Sequence, residues 1–223
     1  VLYLGIDNGL YISVDDGANW MQLRNNLPPA PVYWLTIQER FDDLVVATYG
    51  RGFYILDNIS LIRQYAAEAR EKDIHLFDLR PAYRFNDREG IKTDGISFNS
   101  GRNPSYGADI NYMLRDSSEA PVSIIIRDAD GKQVRTMKAK SAPGIHRVWW
   151  NLQYEAPARP KLHTKPAGKD WVTFNDEGWR NLRTWDIDII DGQRGPRVAP
   201  GTYTVTLKVG ERTFVQNLEV LKD

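Results

Sequence analysis

The stretch Ser13-Val-Asp15-Asp16-Gly17-Ala-Asn-Trp20 decides how the first part of this chain folds. It has the pattern S-x-D-x-G-x-x-W and follows the alternating run Leu10-Tyr-Ile12. An Asp-Asp-Gly turn after a strand lets carboxylates accept backbone N–H bonds, and the glycine supplies a positive φ. The Trp three residues later is placed to fold back onto the hairpin and pack in the hydrophobic core. The stretch therefore predicts a strand, a tight turn and an aromatic side chain packed on both.

The first sixty residues contain an internal repeat. Leu2-Tyr-Leu-Gly-Ile6 matches Leu44-Val-Val-Ala-Thr48 at an offset of 42, and Gly9-Leu-Tyr-Ile12 matches Gly52-Phe-Tyr-Ile55 at an offset of 43. A period of about forty residues is the size of one four-stranded β-propeller blade. The second copy lacks the matching glycine and Trp, as terminal repeats often do. A plain β-meander is the alternative interpretation.

In this context the opening stretch resembles the Asp-box of bacterial neuraminidases and sortilin-type β-propellers, in which Ser13, Asp15, Gly17 and Trp20 have structural roles. Residues 1–64 resemble the end of the propeller in large exported bacterial proteins that are often labelled glycosyl hydrolases. The resemblance implies that residues 1–59 are the terminal blade or blades of a propeller and that their partners are its other blades. It also implies a periplasmic or secreted location.

Composition excludes several classes of function. The chain has 223 residues and no Cys, which excludes disulfides and thiolate metal sites. Lys and Arg equal Asp and Glu at 29 each, so charge gives no reason to expect nucleic acid or an anionic membrane as partner. No apolar run approaches the ~20 residues of a membrane span. No motif predicts a cofactor, and the absence of a signal peptide and initiator Met leads us to expect a fragment of a longer protein.

Residues 60–73 predict a short helical linker. Ser60 is a candidate N-cap, and residues 61–72 have high helix propensity. Glu68 and Lys72 form an i,i+4 pair in the favourable order. These charges indicate a solvated helix face.

From residue 74 the hydrophobic period becomes two, which predicts an antiparallel, Ig-like β-sandwich over residues 74–223. Two strings, Pro143-Gly-Ile-His-Arg-Val-Trp-Trp150 and Ala199-Pro-Gly-Thr-Tyr203, resemble Ig-like domains of flagellar-hook-capping type, with Pro-Gly turning the chain into a strand and the aromatic side chain packed inward. The predicted strands cover residues 74–79, 109–115, 122–128, 133–139, 145–154, 202–209 and 213–221.

A long insertion at about residues 155–198 interrupts the predicted sandwich. It carries Trp171, Trp179 and Trp185. Irregular segments of this length are uncommon unless they have a function. The three Trp side chains are therefore candidates for a sugar-stacking or protein-docking surface. A small core within the insertion, or a seal against the propeller, explains them equally.

Two further features are candidate sites. Arg51 lies between Gly50 and Gly52, and in the resembling propellers such a residue lies near the central channel, where sialidases place arginines against a carboxylate. A structural role is the alternative. Asp128 and Asp130 have the D-x-D-G start of a calcium loop, but the later ligands are missing and a hairpin turn is favoured.

Three functions stay open from these residues. The first is a non-catalytic scaffold and interaction portion of a secreted propeller protein. The second is an accessory part of a glycoside hydrolase, with the Trp-bearing insertion binding glycan. The third is a secreted protein- or peptide-binding propeller. In each case the sheet edge left by absent blades predicts pairing with another chain, including a homo-oligomer.

Overall fold

The computed structural model describes residues 1–85, 101, 103–158, 160–180 and 194–222. Over these residues the chain is all-β, as predicted, apart from one short helical segment. No helix in these ranges is long and apolar enough to cross a lipid bilayer.

The first part of the chain contains six strands: β1 (Leu2–Ile6), β2 (Gly9–Ser13), β3 (Met21–Gln22), β4 (Val32–Gln38), β5 (Asp43–Thr48) and β6 (Gly52–Leu56). They form two antiparallel three-stranded sheets, with orders β1-β2-β3 and β4-β5-β6. The hairpins β1–β2 and β5–β6 are the two copies of the sequence repeat. The strands expected from the repeat are therefore confirmed.

These two sheets pack face to face around a small apolar core, whose buried members are Leu10, Val32, Leu44, Val46 and Ile59. Gly5 of β1 allows the close approach of the sheets, because a Cβ atom there would lie 2.5 Å from Val32 Cγ1. Each sheet therefore uses one face for this shared core. The opposite face of each sheet points away from it.

The predicted linker helix begins as expected but changes form. Its α-helical part, α1, covers Ser60–Gln64, and a π-helical turn follows over Tyr65–Ala69. The N-cap is Ile59 and makes no side-chain cap bond, so the prediction of Ser60 as N-cap is wrong. The wider turn accompanies packing of Tyr65 and Ala69 against Phe77 and Met113, where tertiary contact overrides local propensity. The expected Glu68–Lys72 pair is present at 3.7 Å.

The second part contains eight strands: β7 (Ile74–Leu76), β8 (Ala82–Arg84), β9 (Ala108–Leu114), β10 (Val122–Arg127), β11 (Gln133–Lys138), β12 (Gly144–Trp150), β13 (Gly201–Val209) and β14 (Arg212–Lys222). They form a five-stranded sheet, β11-β10-β13-β14-β8, and a three-stranded sheet, β12-β9-β7. The inner faces of both sheets contribute to one hydrophobic core.

Strand β8 departs from the predicted antiparallel arrangement. It pairs parallel to β14, with Ala82 opposite Val220. The sequence gives no alternation signal there, because β8 has three residues and takes its position from the neighbouring strand. Two predicted strands are also shorter than expected, since β7 ends at Leu76 and β12 ends at Trp150.

The aromatic side chains of the two Pro-Gly strings pack inward as predicted. Trp150 is fully buried and Tyr203 is 5% exposed, and their rings meet edge to face at 5.4 Å. Both polar ends are satisfied, because Trp150 Nε1 donates to the Gln153 carbonyl at 2.9 Å and the Tyr203 hydroxyl donates to the Ala199 carbonyl at 2.7 Å. These pairs anchor the two sheets of the second part to each other.

Strand β9 is buried on both faces along its whole length. One face carries Ile110 and Tyr112 into the main core. On the other face, Met113 packs with Ala69 of the π-helical turn. The same outer face of β9 also presents Asp109, which meets Asn58 of the first part of the chain, and Asn111, which donates to Asp109.

Candidate functional site

The S-x-D-x-G-x-x-W stretch forms a self-contained polar turn. Ser13 is fully buried; its Oγ donates to Asp15 Oδ1 at 2.9 Å and accepts the Gly17 N–H at 2.8 Å. Asp15 accepts the Asn19 backbone N–H at 2.8 Å and its side-chain amide at 2.7 Å. These hydrogen bonds, led by the Asn19 side chain, lower the pKa of Asp15 to about 2. The hydrogen bonds of the Asp15 carboxylate are therefore all made within the turn.

Trp20 differs from the prediction. Asp16 and Gly17 have positive φ angles of 57° and 93°, as the turn requires. The Trp20 ring lies over this turn, 3.9 Å from where a Gly17 Cβ would be, but it is 40% exposed. It sits beside Leu2, which alternates with the core-facing Tyr3 and so lies on the outer face of the sheet. The expectation that Trp20 packs in the core is wrong, because among the described residues no layer covers this outer face of the sheet.

Replacing Asp15 with Asn is expected to lower the urea midpoint of unfolding at pH 7. The folded pKa is below the unfolded value of about 4, so Asp15 stabilises the fold above pH ~4 and loses this effect as pH falls towards 2. The difference from the wild-type chain should therefore shrink over that window. Asp16→Asn is the matched control and should unfold like the wild-type chain throughout. Equal midpoints for Asp15→Asn and the wild-type chain at pH 7 would refute this role.

Arg51 occupies the tip of the β5–β6 hairpin. It is exposed and lies between Gly50 and Gly52, which have φ angles of 74° and 78°. Thr48 Oγ1 donates to the Gly52 carbonyl at 2.7 Å and closes the turn. The glycines thus serve the tight turn. The suggested position of Arg51 near a propeller channel stays a prediction.

The Trp side chains of the insertion have different surroundings. Trp171 is 72% exposed. Trp179 is half-buried; its Nε1 donates to Glu177 Oε2 at 2.7 Å, and Lys161 Nζ lies 5.2 Å from the ring centroid. Trp185 lies outside the described residues. Both interpretations of the insertion therefore stay open.

Asp128 and Asp130 form a hairpin turn, as favoured. Asp128 Oδ1 accepts the backbone N–H of Asp130 at 3.1 Å and of Lys132 at 2.9 Å, at the connection between β10 and β11. Within the described ranges, no group of three or more His, Asp or Glu side chains is arranged to hold a metal ion. The D-x-D-G pattern at Asp128 and Asp130 is therefore explained by the hairpin turn.

A buried polar junction joins the two parts of the chain; we define it as Asp43, Asn58, Arg80, Asp109 and Asn111. Its centre is Asp109, which is 8% exposed. The Asp109 carboxylate accepts from Asn58 Nδ2 at 2.6 Å, Asn111 Nδ2 at 3.1 Å and Arg80 Nη2 at 3.3 Å. Because Asn58 follows β6 and Asp109 lies in β9, these bonds fix the first part of the chain on the second.

Arg80 extends the junction to the first sheet pair. Its Nη1 lies 3.9 Å from Asp43 Oδ1 and donates to the Phe41 carbonyl. Asp43 Oδ1 also accepts the Asn58 backbone N–H at 3.0 Å. One guanidinium therefore lies between two carboxylates that belong to different parts of the chain, and this charge pairing compensates for their burial.

Asp57 lies next to the junction but does not join its hydrogen bonds. Burial, followed by the charge of Asp43, raises its pKa above the ordinary range, while Arg147 and Arg80 oppose the shift. It borders two cavities, one of about 320 Å³ on the side of the first sheet pair and one of about 460 Å³ on the side of β8. Asp57 is thus a half-buried carboxylate between two spaces.

The larger cavity is a cleft between the two parts of the chain. Its walls include two edge-to-face aromatic pairs, Phe41–Tyr83 at 5.8 Å and Phe85–Tyr106 at 4.9 Å between ring centroids. Asp43, Asp57, Arg80 and Asp109 line its polar side. This cleft therefore combines charged and aromatic side chains around accessible space.

Comparison with known proteins does not identify the chain. No protein-family model, curated protein or solved structure matches it. Its function is therefore inferred from the geometry of its own residues.

Sequence reasoning missed the cleft and the junction. In β9, Asp109 and Asn111 alternate with Ile110 and Tyr112, a pattern typical of a strand with one solvent-facing side. The polar face is instead covered by a second layer that comes from distant residues such as Asn58. The one available signal was the number of charged residues near the ends of the repeat, at Asp43 and Asp57.

Proposed function

We propose that this chain is a non-catalytic scaffold and interaction module of a secreted β-propeller protein. In this proposal residues 1–59 supply terminal blades, and residues 74–223 form an appended Ig-like sandwich. The observation that carries the proposal is that both outward faces of the β1-β2-β3 and β4-β5-β6 pair are apolar and exposed. We call these two surfaces the outer faces and define them by Leu2, Leu4 and Ile6 on one side and Trp34, Phe53 and Ile55 on the other.

The outer face of β4-β5-β6 is the more apolar of the two. Trp34 and Phe53 lie on either side of Ala47 in the strand register, and they are 70% and 79% exposed. Ile55, two residues further along β6, is 62% exposed. A sheet that faces water on one side normally carries polar side chains there. This row of apolar side chains instead suits contact with a further sheet.

The outer face of β1-β2-β3 has the same character. Leu2, Leu4 and Ile6 alternate along β1 and are 44%, 43% and 38% exposed. A stack of two sheets that functions alone has no need for apolar side chains on both outer sides. A blade within a propeller needs apolar side chains on both sides, because it packs between two neighbouring blades.

The exposed apolar side chains are concentrated in the first part of the chain. Of the 17 large exposed hydrophobic side chains among the described residues, 13 lie within residues 1–55. The described surface of the second part therefore carries few exposed apolar side chains, whereas that of the first carries many. Contiguous exposed apolar patches of this kind mark interaction sites.

Charged substitutions on the outer face test the proposal. Trp34→Glu combined with Phe53→Glu is expected to change the free energy of unfolding by less than about 0.5 kcal/mol, because both side chains are exposed. The wild-type chain, with its outer faces uncovered, is expected to self-associate in sedimentation velocity, and the double variant at least about tenfold more weakly.

The matched control is Val215→Glu, which changes an exposed apolar residue of β14 and is expected to associate like the wild-type chain. A wild-type chain that stays monomeric up to millimolar concentration contradicts the proposal. Equal weakening by the control also contradicts it.

A further inference from the structure

We propose that the cleft between the two parts of the chain binds a neutral oligosaccharide. The cleft measures about 460 Å³, within the range of small-molecule sites and large enough for one or two sugar rings. It is lined from both sides, with Phe41 contributed by the loop before β5 and Tyr83 by β8. The site is separate from the outer faces and does not depend on the propeller proposal.

The aromatic walls suit the apolar faces of a sugar ring. Phe41 is 39% exposed and Phe85 is 43% exposed, and each meets its tyrosine partner edge to face, at interplanar angles of 71° and 82°. Edge-to-face pairs hold the rings in fixed orientations. Rigid, partly exposed rings at the mouth of a cleft provide contact area with little loss of conformational entropy on binding.

The polar side of the cleft has unused hydrogen-bonding capacity. Arg80 Nε and the Tyr106 hydroxyl are buried and have no hydrogen-bond partner among the described residues. They are two of the three such side-chain atoms in that part of the structure, the third being the Tyr3 hydroxyl. The nearby Asp57 carboxylate borders the same space. A sugar hydroxyl both donates and accepts, so it can accept from the exposed part of the Arg80 side chain, which is 24% exposed, and donate to the Asp57 carboxylate.

The charges around the cleft favour a neutral ligand. Four carboxylates and two guanidiniums line it: Asp42, Asp43, Asp57, Asp109, Arg40 and Arg80. The excess of carboxylates disfavours phosphate or acidic sugars. The Arg40 guanidinium lies 5.3 Å and 5.2 Å from the Phe41 and Tyr83 ring centroids, and its positive charge beside these rings disfavours a cationic ligand there. A polyhydroxylated, uncharged ligand avoids both conflicts.

The test is titration calorimetry of the chain with neutral hexasaccharides, namely cellohexaose, xylohexaose, mannohexaose and chitohexaose. A galacturonic acid trimer and a glucosamine hexamer are the acidic and cationic probes. At least one neutral hexasaccharide is expected to bind saturably, with a Kd between about 10 μM and 1 mM, and tighter than either charged probe.

Two cleft variants locate the binding. Asp57→Asn is expected to weaken binding about tenfold through loss of a charged acceptor, and Tyr83→Ala by a similar factor through loss of stacking area. The controls are Asp116→Asn and Tyr33→Ala, both at exposed positions outside the cleft, which should bind like the wild-type chain. Thermal unfolding checks that Tyr83→Ala is folded. If Tyr83→Ala proves to be unfolded, the near-isosteric Asp57→Asn still tests whether the cleft binds the ligand.

Several results would overturn the proposal: no saturable binding of any neutral hexasaccharide, tighter binding of a charged probe, or an unchanged Kd in Asp57→Asn. Loss of binding in Trp171→Ala, with the cleft variants unaffected, would place the site on the insertion instead. None of these outcomes bears on the outer faces, whose substitutions do not line the cleft.

Discussion

Replacing Gly107 with Ala is expected to lower the free energy of unfolding by about 4 kcal/mol, from backbone strain and a steric clash together. Gly107 has a φ angle of 123°, immediately before β9. A Cβ atom there would overlap the Trp150 carbonyl oxygen and lie 2.8 Å from the carbonyl carbon. Both are backbone atoms at the end of β12, so the clash cannot be relieved by a side-chain rotation. Urea unfolding of the chain measures the loss.

The matched control is Gly131→Ala. Gly131 also has a positive φ angle, 78°, but nothing lies within 4 Å of its Cβ position at the tip of the β10–β11 hairpin. This variant is expected to lose about 1 kcal/mol from the unfavourable φ alone. Equal losses for Gly107→Ala and Gly131→Ala would contradict the close packing of β9 against β12.

Replacing Asp109 with Ala is expected to destabilise the chain by about 3 kcal/mol. The substitution leaves the Arg80 guanidinium and the Asn58 and Asn111 amides without their shared acceptor in a buried layer. Removing one partner from a buried, charge-assisted network lowers the free energy of unfolding by more than the intact network raises it. The reason is that the remaining groups stay desolvated and lose their hydrogen-bond partner. Chemical unfolding, followed by far-ultraviolet circular dichroism, measures the effect.

Asp116→Asn is the control for this prediction, since Asp116 lies exposed in the connection after β9. It is expected to change stability by less than about 0.5 kcal/mol. A loss for Asp109→Ala no larger than that of the control would mean that the polar junction does not hold the two parts of the chain together.

Strand positions were largely predictable from the sequence because they depend on local period. Alternation along β10 and β13 identifies strands with one buried face, and the turn residues at Asp128 and Gly210 fix the following hairpins. The same holds for the repeated hairpins of the first part. In these segments a single pattern determines both the strand and its neighbour.

The features that sequence reasoning missed depend on distant residues. Three-residue β8 has no period of its own and takes its direction from β14. The polar face of β9 has the pattern of a surface face until the linker and the first sheet pair cover it. Trp20 was expected in a core because Trp is large and apolar, but the side of the sheet on which it lies is open. Such contacts are set by tertiary structure and leave little local signal.

The candidate cleft was unpredictable for the same reason. Its lining comes from Phe41, Asp57, Tyr83, Asp109 and Trp149, which belong to five different segments. No spacing rule connects these positions. The turn of the S-x-D-x-G-x-x-W stretch shows the opposite case, since Ser13, Asp15 and Asn19 are close in sequence and their hydrogen bonds could be anticipated.

The most direct test of the proposed function is photo-crosslinking from position 53. Benzoylphenylalanine replaces Phe53, which is 79% exposed on the outer face of β4-β5-β6, in the protein expressed from its own gene in its own cells. The same amino acid at position 215 is the control. The proposal predicts efficient crosslinks from position 53 to an alternating apolar β-strand of another propeller blade. Crosslinks no stronger than those from position 215, or crosslinks to a second copy of residues 1–223 alone, would contradict it.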